Sequence, residues 1–294
     1  MRIHHLNCIS TCPLGGRLMD GRSASILQRG ELACHCLLVE LADRLVLVDT
    51  GLGLRDVEDP RGRLSAFFLA LVHPDFRPEM TAQAQVRRLG FDPRDVRDIV
   101  LTHLDFDHAG GLDDFPEATV HLLSDERDGA FAQRTWLDRQ RFRPQQWSSR
   151  SRWRTYPAMG GEPWYGFARA RPLEGLPPEI AMIPLLGHTL GHAGVAVDLG
   201  GRWLLQAGDA YFCRTELDPE RPRCTPGLRM YQWMMDKDRT ARVENQQRLR
   251  TLCATHGHEV QVCCGHDPGE FEALTGRSVR RPADWSVVPG TGAA

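Results

Sequence analysis

No stretch of this chain carries about eighteen consecutive apolar residues, so a membrane-spanning helix is not expected. The opening residues, MRIHHLNCIS, lack an apolar signal core, so export by that route is not expected either. Net charge is almost missing: 36 basic against 38 acidic residues leave −2. That balance offers no global attraction to nucleic acid or to an acidic membrane. Zinc-finger spacing is also absent, because the nine cysteines are odd in number and fit no such framework. They read as reduced thiols in a cytoplasmic protein. There is no obvious internal repeat. What remains is an ordinary soluble composition, 294 residues at 41% hydrophobic and 25% charged, long enough for one large core or two small ones.

Strand and helix signals interleave in both halves. CHCLLVELADRLVLVDTGLG (34–53) reads as two strands joined near Ala42 and Asp43. MTAQAQVRRLG (80–90) reads as a helix stopped by Gly90. A short buried strand is expected over 96–103, and another running into a helix over 118–126. Three more strands fall between 180 and 209, and a last one over 259–267. The segment 236–257 predicts a long charged helix with Val243, Leu249, Leu252 and Cys253 on or near one face. This pattern argues for sheet covered by helices, an α/β fold in a single domain over 1–275, followed by a polar tail over 276–294.

One segment differs in kind. RTWLDRQRFRPQQWSSRSRWR (134–154) holds seven arginines against one acid, Asp138, and carries Trp136, Trp147 and Trp153, with Trp164 and Tyr165 just beyond. It reads as an insertion or lid at about 134–166. Such a segment either walls a pocket for an anionic or apolar substrate, or caps the body with its aromatics packed inward. A role in binding RNA would instead require strongly salt-dependent association.

THLDFDHAGG (102–111) places His103, Asp105, Asp107 and His108 within six positions, directly after the apolar run Ile99, Val100 and Leu101. A strand that ends in a tight turn directs its last side chains into one space. His and Asp are divalent-metal ligands, and burying an aspartate without a partner is costly. A solvated polar turn is the alternative, and the apolar strand before the motif argues against it. Other apolar strands end the same way: VLVDTGLG at Asp49, PLLGHTLGHAG at His188 with His192 four residues on, LLQAGDAYF at Asp209, and VCCGHDP at His266.

The ordered set Asp49, His103-x-Asp105-x-Asp107-His108, His188, Asp209 and His266 resembles the metallo-β-lactamase superfamily over residues 1–275. THLDFDHAGG and GHTLGHAG are most similar to its lactonase-like branch, which includes the acyl-homoserine lactonases. The resemblance implies an αβ/βα sandwich of two mixed sheets flanked by helices, with the site at one edge between the sheets. It implies two divalent ions, zinc first. His103, Asp105 and His188 would bind one, Asp107, His108 and His266 the other, and Asp209 would bridge them. Asp49 would order the site through hydrogen bonds, and His192 reads as a hydrogen-bonding or packing histidine, not a ligand. A bridging hydroxide would attack a carbonyl carbon while one metal polarises the carbonyl oxygen. Asp107 would carry a proton to the leaving group. Tyr211 is a candidate oxyanion donor, because a phenol can hydrogen-bond an anion. The lactonases have their tyrosine one position later, where this chain has Phe212.

In the family's usual motif a histidine stands where this chain has Asp105. Two divalent ions, two aspartates and a hydroxide leave a formal charge of about +1, and adding Asp105 lowers it to about zero. A less positive site should leave its water less acidic and hold iron or manganese better relative to zinc. The alternative is degeneration: Asp105 is too short to reach, one metal is lost, and the chain becomes a non-catalytic metal-binding or sensor protein. The reading adopted is a metal-dependent hydrolase for a small-molecule lactone or carboxylic ester, with thioester and phosphodiester next in order. Neither membrane nor nucleic acid is an expected partner, and a monomer or a homodimer fits.

Overall fold

A computed structural model of the chain describes residues 1–147 and 152–279. Alternation along the strands builds its layers. In β2 (His35–Glu40) and β3 (Leu45–Val48), Leu37, Val39, Val46 and Val48 face one way, while Leu38, Leu45 and Leu47 face the other. β1 (Arg2–Asn7), β4 (Val96–Val100), β5 (Thr119–Leu123) and β6 (Trp153–Tyr156) complete a first sheet in the order β1-β2-β3-β4-β5-β6. The pairs among β1, β2 and β3 are antiparallel, and β3 to β6 run parallel.

The second sheet follows the order β12-β11-β10-β9-β8-β7. Its strands are β7 (Glu162–Trp164), β8 (Phe167–Pro172), β9 (Ile180–Pro184), β10 (Ala193–Asp198), β11 (Trp203–Gln206) and β12 (Val260–Cys263). β11 and β12 are parallel, and the remaining pairs are antiparallel. Leu37, Val39, Val46, Val48 and Val100 of the first sheet meet Ile180, Met182, Val195, Val197 and Leu204 of the second in the central core.

Helices cover the outer faces. They are α1 (Arg17–Asp20), α2 (Leu54–Glu58), α3 (Pro60–Arg63), α4 (Ala66–Val72), α5 (Ala82–Arg88), α6 (Ser124–Ala132), α7 (Trp136–Arg141), α8 (Pro226–Met235), α9 (Arg239–His256) and α10 (Pro268–Thr275). Ala82 and Val86 of α5 and Ala130 of α6 pack on the outside of the first sheet. Leu249 and Leu252 of α9 pack on the outside of the second. The order helix, sheet, sheet, helix is the αβ/βα sandwich of two mixed sheets.

Several local readings change. Val243, expected on the packed face of α9, is 44% exposed, and the buried stripe runs through Arg242, Asn245, Gln246, Leu249 and Leu252. The segment 134–166, read as an insertion or lid, contributes an edge strand to each sheet: β6 pairs with β5 and β7 with β8. Trp147 is 1% exposed inside the core beside the first sheet, and Trp164 is buried against the second, whereas Trp136 stays at the surface. Residues 148–151 of that segment, and 280–294 of the expected polar tail, lie outside the described residues. Just before the latter, Val279 is buried with Ala33 and Phe271. All nine cysteines are free thiols. Among the described residues no helix is long and apolar enough to cross a membrane.

Candidate metal centre

Strand direction gathers the site. β3 and β4 are parallel, so Asp49 and the 102–111 turn leave the first sheet at the same end. In the second sheet β9 and β11 are both antiparallel to β10, and β12 is parallel to β11. The C-terminal ends of β9, β11 and β12 therefore share one edge, and they deliver His188, Asp209 and His266. Backbone bonds join the two edges: Ala193 N–H donates to Thr102 O (2.9 Å), and His35 N–H to Gly265 O (2.9 Å).

The structure brings all seven expected donors together, each buried. His103, Asp105, His188 and Asp209 form one group, and Asp107, His108 and His266 another, with the donor atoms of each group within 4.8 Å of one another. Asp209 faces both. Its Oδ1 lies 3.2 Å from the Nε2 atoms of both His108 and His266, and its Oδ2 lies 3.3 Å from His188 Nε2 and 3.8 Å from His103 Nε2. Two of these buried atoms, His103 Nε2 and Asp209 Oδ1, have no hydrogen-bond partner. An orphaned polar atom at such depth is costly. Imidazole and carboxylate donors converging on one space suit divalent cations, so the residues present fit a metal centre.

A surrounding ring of bonds fixes the donors. Asp49 accepts from Thr102 N–H and Thr102 Oγ1–H, each at 2.7 Å, and its Oδ2 sits 2.8 Å from His108 Nδ1. That leaves His108 Nε2 turned toward the cluster. His192 donates from Nδ1 to Leu185 O (2.9 Å) and accepts at Nε2 from the Asp209 N–H (2.9 Å). Burial and the neighbouring His188 lower His192 to about 3, consistent with a neutral ring that holds the Asp209 backbone. Gly208 precedes Asp209 with φ of 53°, and a Cβ there would stand 2.7 Å from His192 Nε2. Glycine is what lets the chain pass that close.

Tyr211 is not brought to the site. Its ring lies in the core between the second sheet and α9, and its hydroxyl donates to Glu270 Oε1 (2.8 Å). Tyr231, on α8, lies closer to the chemistry. Its ring packs 5.7 Å from Phe212, which itself stacks 5.2 Å from His266. Burial and the nearby Asp107, Asp105 and Asp209 carboxylates push the Tyr231 phenol well above its usual range. Nothing in local sequence marks Tyr231, because it arrives on a helix about twenty residues after Asp209.

Two further residues escaped the sequence reading. Glu126 of α6, 1% exposed, accepts from Leu104 N–H (2.8 Å), from Thr189 Oγ1–H and from Gly191 N–H (3.2 Å). It thereby joins the turn that carries His103 to the turn that carries His188. Arg141, at the end of α7, is fully buried and grips Asp105 with two bonds, Nε to Oδ1 (2.6 Å) and Nη2 to Oδ2 (2.5 Å). The run of seven arginines was visible, but not which of them turns inward.

The comparisons agree with this geometry. The metallo-beta-lactamase superfamily profile matches residues 29–237. A probable metallo-hydrolase of Mycobacterium tuberculosis is 39% identical over 272 residues, covering 92% of this chain and 82% of its own. An N-acyl homoserine lactonase of Azorhizobium caulinodans is 28% identical over 230 residues, covering 78% and 79%. Among solved structures, an N-acyl homoserine lactone hydrolase with N-hexanoyl-L-homoserine at its catalytic metal centre superposes with a TM-score of 0.68. That likeness covers 92% of this chain and 95% of that one at 18% identity, and so speaks for the fold. With the profile spanning most of the chain and a relative of this identity covering nearly all of it, the chain belongs to the metallo-beta-lactamase superfamily.

Proposed function

We propose that the protein is a dinuclear metal-dependent hydrolase acting on a lactone or carboxylic ester. The observation that carries this reading is Asp209, whose two oxygens face two separate groups of buried donors. His103, Asp105 and His188 would hold one divalent ion, Asp107, His108 and His266 the other, with Asp209 shared. Bound there, the ions would supply an acidified water as nucleophile and a Lewis acid for the carbonyl oxygen.

The chain's own residues do the rest. Asp49 sets the His108 ring through Nδ1, and His192 sets the Asp209 backbone. Asp107 is the group for moving a proton to the leaving oxygen. It is buried beside His266, at the second donor group. Tyr231, packed on Phe212 beside His266, would donate a hydrogen bond to the oxyanion as it develops.

Acyl-homoserine lactones are the first substrates to assay, since two similar proteins carry that activity in their names. Purified protein should contain two divalent ions per chain by elemental analysis. Chelation should abolish lactone hydrolysis, and added zinc should restore it. An intact metal content with no turnover of lactones, esters or thioesters would overturn the hydrolase reading. Tyr231→Phe should lower kcat by roughly tenfold to a hundredfold with KM little changed, as expected for a donor that acts mainly in the transition state. An unchanged kcat would remove Tyr231 from the mechanism.

A further inference from the structure

Among the described residues, the Arg141 guanidinium is the one cationic side chain pressed against the first donor group. Nε and Nη2 take the two oxygens of Asp105, Nη1 donates to Met235 O (2.6 Å), and Nη2 lies 2.9 Å from His188 Nε2. The position is built. Thr135 and Asp138 form a capping box at the start of α7, Lys237 pairs with Asp138, and Asp105 bridges to Phe142 through the backbone. Met235 ends α8, where the helix leaves its carbonyls open and favours a cation. Neither partner of the pair tolerates burial alone, because an unpaired charge at this depth is strongly destabilising.

Asp105 keeps a second task. Its Oδ2 also stands 3.0 Å from His188 Nε2 and 3.3 Å from His103 Nε2, among the donors of the first group. A carboxylate oxygen can accept from Arg141 on one side and still offer a lone pair on the other. The formal count changes accordingly. With Asp105 alone the loaded centre falls to about zero, and with Arg141 included it returns to about +1.

We propose that Asp105 and Arg141 act as one unit of the first metal site, a ligand together with the cation that aims and neutralises it, with Arg141 as a positioning residue. This rests on the dinuclear reading above. It makes a counterintuitive demand: histidine, the residue usual in the family at position 105, is the wrong replacement here. It would leave a buried guanidinium unpaired beside a divalent ion.

The test is a four-way comparison of parent, Asp105→His, Arg141→Leu and the double variant, loaded with zinc for elemental analysis and with cobalt for visible spectra. The melting temperature of each metal-free protein is measured alongside. The parent should bind two ions. Each single variant should bind the first ion about tenfold to a hundredfold more weakly, while the group of Asp107, His108 and His266 stays loaded. The double variant should regain two ions and melt above either single. A first-ion affinity in Asp105→His equal to the parent's with Arg141 intact, or a double variant no better than the worse single, would overturn the pairing. A single variant that folds poorly leaves these outcomes readable, because the double variant supplies the comparison. Fewer than two ions in the parent would instead bring down the dinuclear reading itself.

Discussion

Asp209→Ala is expected to bind fewer than two divalent ions per chain and to lose hydrolysis by on the order of a thousandfold or more. No other described side chain in the cluster faces both donor groups so closely, at 3.2 Å to His108 and His266 and 3.3 Å to His188. Its removal leaves four imidazoles turned inward with two carboxylates, and one of those, Asp105, is already held by Arg141. Neutral imidazoles offset none of the charge of two adjacent divalent ions, and Asp107 is the one carboxylate of the cluster not already paired with Arg141, so at least one ion should be released. Asp209→Asn separates shape from charge. It keeps the side-chain volume and one acceptor oxygen, and it should retain more metal than alanine yet much less activity than the parent. Elemental analysis and kcat/KM on the same preparations decide the matter. An alanine variant with two ions and turnover within tenfold of the parent would show that Asp209 does not bridge.

How far the sequence could be read follows from what each feature depends on. β3, β4, β9, β11 and β12 declare themselves as apolar runs, and Asp49, His103, His188, Asp209 and His266 sit within a few positions of their ends, so these were legible together. β1 was missed because RIHHLN mixes histidine and asparagine into a strand that faces the core only at its end. β6 and β7 were missed because arginine and tryptophan hide the alternation of short edge strands, WRTY and EPW. At the site, the ligand-capable residues were legible, while their supports were not. Arg141 lies 36 positions from Asp105, and Glu126 lies 22 from Leu104 and 63 from Thr189. Pairings of that range are set by the packing of whole elements and leave no local pattern. The charge count made at Asp105 from sequence fails for this reason. It included the ligands and left out the cation behind them, so the expected loss of water acidity and shift toward iron or manganese no longer follow from Asp105 alone. Tyr211 shows the opposite error, in which nearness to Asp209 in sequence stood in for direction.

The second large effect is expected at Glu126, far from any reacting atom. Glu126→Ala should cost about 3–5 kcal/mol of stability, because it opens a cavity and strands three buried donors at once. Those donors, Leu104 N–H, Thr189 Oγ1–H and Gly191 N–H, have one acceptor group in common. Gly191 also lies so close to α6 that a Cβ on it would come within 2.0 Å of Glu126 N, so the two turns have little room to readjust. With the carboxylate gone, the turn bearing His103 and the turn bearing His188 lose their tie, and metal affinity should fall along with stability. Glu126→Gln distinguishes hydrogen bonding from charge. Burial raises Glu126 to about 7, so near neutrality the folded protein already holds a large share of it in the uncharged form. Glutamine resembles that form. It can accept from Leu104 N–H and donate to the Thr189 hydroxyl, losing only the bond from Gly191. The sign of the pH effect follows. Because the folded value lies above the ordinary 4.5, the folded state binds the proton more tightly, and this group's contribution to stability declines as pH rises from about 4.5 to 7. Glu126→Gln should lack that part of the decline, which urea titrations at several pH values would reveal. Glu126→Ala within about 1 kcal/mol of the parent would mean that water takes over all three donors and that the two turns hold their geometry without the glutamate.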